Sequence, residues 1–158
     1  MGLVAMRAWS RPERGLRDVL LAGEALVLLG FFRAALSMAP ARTIIGRLTR
    51  GRCDETAHGD VASQQLLIAR RVRWAVSAAV RHSPVEFVCF PQALAGYTML
   101  RRRGVASTLM YGVARSEQEE LLAHAWLMMG ETVVLGGDAA KGFTPVERWT
   151  CGGGGLPD

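Results

Sequence analysis

The sequence predicts an α+β fold, with helices first and a small antiparallel sheet second. Three observations predict it. Apolar residues recur at helical intervals in the stretches before residue 104; the period then changes from 3.6 to 2; and polar or glycine-rich turns cut the second half into short strands. At 158 residues, half of them apolar, the chain suits one domain with an extra helical segment and can close its own core.

The first helical pattern opens at Arg11-Pro12-Glu13, with Ser10 as candidate N-cap and Pro12 tolerated in the first turn. Leu16, Val19, Leu20, Leu26, Val27 and Phe31 carry its period, which stops before Pro40. A short helix is expected over residues 42–48, and 51–60 reads as a loop. The period returns over 61–81, through Leu66, Ile68, Val72, Trp74, Val76 and Val80, and ends at Ser83-Pro84. A further helix starts near Cys89 and runs to Arg103, where Gly104 closes it and three arginines meet its free carbonyls. Strands are expected over 107–114, 123–129 and 132–135, the last two forming a hairpin around Gly130-Glu131. Residues 143–149 add an edge strand, and the four glycines within 151–158 read as a frayed, disordered tail. The expected organisation is a helical lead-in over 1–60, a working core over 61–150 and that tail.

Charge is distributed unevenly. The formal net charge is +5, yet residues 1–52 hold nine Arg against Glu13, Asp18 and Glu24, a balance of +6, which leaves −1 for the rest. Only Lys141 is a lysine, so the arginine richness is a poor argument for nucleic-acid binding. Cys53, Cys89 and Cys151 are an odd set without CxxC spacing, and no early apolar run marks a signal peptide. The expectation is a reducing cytoplasm and free thiols. Residues 19–38 are apolar but interrupted by Glu24 and Arg33, which argues against a membrane span and leaves peripheral membrane contact open.

Cys89 stands at a predicted helix start, where exposed N–H groups and the positive dipole end favour a thiolate and can hold an oxyanion. The bland alternative is a small, buried, inert cysteine. His124 lies on a predicted strand between two alanines and suits a general base; His58 and His82 fall in a polar loop and at a helix end. Asp138 follows Gly136-Gly137. A three-residue hairpin loop, with Met128 facing Thr132, would set it on the face of His124 at about 7–8 Å, where it would orient the ring and stabilise the imidazolium. A two-residue loop would reverse the parity. Gln92 is a candidate for polarising a carbonyl near Cys89. No paired metal-ligand spacing, P-loop, dinucleotide fingerprint or GxSxG elbow occurs, so no metal or cofactor is expected.

Taken together, Cys89-Phe90-Pro91-Gln92-Ala93-Leu94, the run from Leu100 through Arg103-Gly104 to Leu109, Gly112-Val113, Ala123-His124-Ala125-Trp126, Gly136-Gly137-Asp138 and Phe143-Thr144-Pro145 resemble one family. It is the transglutaminase-like leader peptidase, or B protein, of lasso-peptide biosynthesis, and the likeness covers roughly residues 60–150. The resemblance implies a papain/transglutaminase-like fold and a Cys-His-Asp cysteine peptidase that cuts leader from core peptide. Cys89 carries over as nucleophile and His124 as base. Many relatives place the acid nearer the histidine, where this chain has Leu135 and Gly136, which leaves Asp138 as the nearest carboxylate. The implied partners are the lasso-peptide precursor, a separate leader-recognition protein and an ATP-dependent macrolactam cyclase. Two other classes compete: a transglutaminase-like acyltransferase, and a non-catalytic membrane-surface or scaffold module built on the Arg-rich N-terminal helix.

Overall fold

The computed structural model describes residues 15–50, 60–150 and 153–155. Helix α1 (Leu16–Met38) and the short α2 (Ala41–Leu48) precede α3 (Asp60–His82) and α4 (Cys89–Arg101). Then come β1 (Thr108–Arg115), β2 (Leu121–Met129), β3 (Thr132–Leu135), the single turn α5 (Gly137–Ala140), β4 (Thr144–Thr150) and β5 (Gly153–Gly155). The strands form one antiparallel sheet in the order β3-β2-β1-β4-β5. The proposed start of the first helix at Ser10 to Glu13, the loop 51–59, His58, Cys53 and Cys151 lie outside the described residues.

Helix α4 is the centre of the molecule. It is buried nearly all round, and its small residues Ala93, Ala95 and Gly96 let it approach β2 closely. A Cβ on Gly96 would come within 3.0 Å of Leu127 Cδ2 and closer still to Leu135 Cδ1, so two leucines of the sheet occupy the space this glycine leaves. Helices α1 and α3 pack against α4 and against each other. On α3 the buried set Val72, Ala75, Val76 and Ala79 follows the i, i+3, i+4, i+7 spacing of a single helical face. On α1 the buried apolar set is Ala25, Leu28, Leu29 and Phe32. The six apolar residues that carry the sequence periodicity of this helix, Leu16 to Phe31, are instead all exposed. The helix is apolar on both faces, so period alone does not tell which face turns inward.

A second link ties α1 to the end of α4. Arg103 donates to Glu24 Oε2 at 2.6 Å and to the Met99 carbonyl at 2.8 Å, while Arg102 reaches Glu24 Oε1 at 3.3 Å. The hydrogen bond from Arg103, more than any other contact, holds the Glu24 carboxyl below its ordinary value. Gly104 then turns the chain in the left-handed region, φ +68°, as expected of a helix-ending glycine.

The sheet departs from expectation in three places. The β2–β3 hairpin loop is two residues, not three, because Met129 pairs with Thr132. Val134 is then skipped as a bulge, so Leu127 pairs with Leu135, and β3 ends there. Asp138 consequently lies in α5, not on a strand beside His124. β4 is not an edge strand, since Gly153–Gly155 pairs with it as β5; the tail expected to be frayed contributes these three residues to the sheet. A glycine run has no side-chain pattern from which to read a strand, yet its backbone satisfies the open edge of β4.

Candidate active site

Cys89 is the first residue of α4, and its N-cap Val88 gives no side-chain hydrogen bond to the first turn. The N–H groups there are therefore not consumed by a cap. Two side chains hold the preceding loop. Arg33 of α1 donates to the Glu86 carbonyl, and Gln92 Nε2 donates to the Phe87 carbonyl at 2.7 Å. Gln92 thus anchors the approach to Cys89 through one N–H of its amide. The Cys89 side chain is half-buried against the core, and Phe90 meets the Tyr111 ring edge-on at 6.0 Å.

His124 projects from β2 on the face that carries Trp126 and its cross-strand neighbour Gly112. Its ring stacks with Trp126, centroids 6.1 Å apart and planes 16° apart, and lies 5.1 Å from Phe143. His124 Nε2 is 3.0 Å from the Gly136 carbonyl oxygen. A carbonyl only accepts, so Nε2 carries the hydrogen and the neutral ring keeps its lone pair on Nδ1. Gly136 sits at φ +76°, and a Cβ there would lie 3.0 Å from Trp126 Cβ and 3.1 Å from both His124 Nε2 and the Ala125 carbonyl oxygen. Only glycine combines this turn with so close an approach to the ring.

The relation of Cys89 to His124 follows from two rises. Gly96 lies over Leu127, and Cys89 is seven residues earlier, about 10 Å along a helix. His124 is three residues before Leu127, about 10 Å along a strand. The Phe90–Tyr111 contact shows that α4 runs this way, because Tyr111 pairs with Ala125. The start of α4, with Cys89, therefore lies toward the end of β2 that carries His124. Strand alternation sets the imidazole with Trp126 on the face of β2 turned away from Leu127 and α4, whereas Cys89 packs against the core, and no hydrogen bond joins the two side chains. Because β3 ends opposite Leu127, β2 from Trp126 back to Leu121 lacks a strand on that side, and α5 packs there. Asp138, in α5, begins two residues after the carbonyl that holds the ring.

Of the other candidates, His82 is occupied at its own helix end, with Nδ1 2.8 Å from the Ala78 carbonyl oxygen. A cleft of about 720 Å³ opens beside Phe90 and Tyr111, walled by Leu36, Ile45 and Trp149 and by the ion pair Arg42–Glu147 at 2.6 Å. Sequence reasoning missed Arg33 and the Gly136 carbonyl. Arg33 did leave a signal, as a charge inside an apolar helix, but a carbonyl leaves none.

Helices gathered on one face of an antiparallel sheet, with a cysteine opening the central helix and a histidine on the strand beneath it, define an α+β architecture of the papain/transglutaminase type. The chain belongs to the transglutaminase-like superfamily, whose family model matches residues 25–148, from within α1 to within β4. Folds of this kind are typical of cysteine-protease-like enzymes. No curated protein and no solved structure matches the chain.

Proposed function

We propose that this chain is a cysteine peptidase that removes the leader from a lasso-peptide precursor, with Cys89 as nucleophile, His124 as base and Asp138 as the charge that favours the imidazolium. The observation that carries the reading is a cysteine opening the central helix of a transglutaminase-like domain, with a histidine on a strand against which that helix packs. The substrate class rests on the resemblance of the segments around the two residues to lasso-peptide leader peptidases. Without substrate the His124 ring is bonded to the Gly136 carbonyl on the far face of β2, so the ring must leave that bond and swing round the strand edge that β3 leaves open when the Michaelis complex forms.

In that complex Nδ1 takes the thiol proton as sulfur attacks the scissile carbonyl. The N–H groups opening α4 hold the resulting oxyanion. Collapse breaks the C–N bond, the imidazolium gives its proton to the leaving amine, and the core peptide departs with a free N-terminus. The leader remains as a thioester on Cys89 until water, deprotonated by His124, releases it as a carboxylate. The separate leader-recognition protein presents the precursor, and the ATP-dependent cyclase consumes the freed amine.

The test is incubation of the chain with a candidate precursor and recognition protein, followed by mass measurement. Wild type is expected to yield a free core N-terminus, and Cys89→Ala none, with its fold retained. Unchanged cleavage by Cys89→Ala would refute the proposal, and an amide to an added amine would assign the chain to acyl transfer instead.

A further inference from the structure

The outward face of α1 is the largest feature the site leaves unexplained. Leu16, Leu20, Gly23, Val27, Phe31 and Met38 succeed one another every three, four or seven residues along it, with exposures of 76% at Leu16, 72% at Val27 and 85% at Met38. The stripe runs the length of the helix, about 34 Å for 23 residues. Continuous apolar surface of that extent marks an interaction site. Its charges are of one sign. Arg17 and Arg33 are exposed, whereas Asp18 is buried and Glu24 is held by Arg102 and Arg103. By sequence, residues 1–14 add Arg7, Arg11 and Arg14 against Glu13 alone.

We propose that α1 docks flat on an anionic lipid bilayer, with the stripe among the head groups and upper acyl chains and the arginines at lipid phosphates. A transmembrane placement does not fit, because Ala25, Leu28, Leu29 and Phe32 on the inner face belong to the domain core. A second copy of the chain fits less well than lipid. Two such faces bring arginines together in either orientation and offer no carboxylate to meet them. The docked helix also carries the enzyme's own site, since Arg33 holds the loop before Cys89.

The experiment is flotation of the full chain with vesicles of equimolar phosphatidylglycerol and phosphatidylcholine, and with phosphatidylcholine alone. Binding is expected to the anionic vesicles, roughly tenfold or more weaker to the zwitterionic ones, and falling as salt is raised to about 0.5 M. The Val27→Glu/Phe31→Glu variant, both positions being exposed, is expected to melt like wild type and to lose roughly tenfold or more in vesicle binding. Arg17→Glu, which leaves the stripe intact, provides a second variant and is expected to weaken anionic binding alone. No flotation of wild type at low salt, or undiminished flotation of both variants, overturns the proposal. So does a dimer by light scattering that Val27→Glu/Phe31→Glu dissolves.

Discussion

Replacing Gly112 by alanine tests the packing behind His124. Gly112 pairs with His124 on one side and Pro145 on the other. An added Cβ would lie 2.7 Å from the Thr144 carbonyl oxygen and 2.8 and 2.9 Å from two atoms of the Trp126 indole. Ordinary contacts are about 3.5 Å or more, so a backbone atom and a buried ring must each yield by roughly 0.6–0.8 Å. Overpacking of this kind costs about 1–3 kcal/mol, and alanine returns about 0.4–1 kcal/mol by restricting the unfolded chain. The net expectation is a loss of roughly 1–2 kcal/mol, or about 2–8 °C in Tm for a domain of this size. Urea unfolding followed by tryptophan fluorescence measures it. Gly23→Ala is the control, because nothing lies within 4 Å of its Cβ position. The same change on that open helix surface should stabilise by roughly 0.5–1 kcal/mol. A Gly112→Ala protein as stable as wild type would refute the packing account of this wall.

Other outcomes are expected elsewhere. Glu24→Gln should cost roughly 1 kcal/mol by removing the charged partner of Arg103. Its folded carboxyl sits below the ordinary 4.5, so the stabilisation is present above that value and lost as pH falls through the lowered one; the variant's stability curve should be flatter on that acid limb. Ser107→Ala should be neutral or stabilising in the same unfolding assay, because the buried Ser107 Oγ has no partner among the described residues. Nitrogen NMR of neutral His124 should show hydrogen on Nε2, and Asp138→Asn should leave that tautomer in place because a backbone carbonyl sets it.

The order of helices and strands was legible because the period changes at Gly104, and the helix start at Cys89 because Pro84 and Pro91 bracket it. The orientation of α1 was not, since an all-apolar helix gives no preferred face and its neighbours decide. The hairpin misled by one residue at its turn, and the bulge at Val134, which has no residue signature, shifts every pairing beyond it by one more. Gly136 read as a turn, which it is, but its carbonyl's hold on His124 depends on β3 stopping at Leu135. Arg33 counted as a charge interrupting an apolar run and is in fact a brace for the Cys89 loop.

The most direct test of the central claim is the rate at which Cys89 is alkylated by iodoacetamide, resolved by peptide mass mapping from Cys53 and Cys151, in wild type and in His124→Ala with precursor bound. The thiol depends on the imidazole if it is the nucleophile proposed, so removing the ring should slow alkylation by roughly tenfold or more. Equal rates in the two proteins would contradict the account.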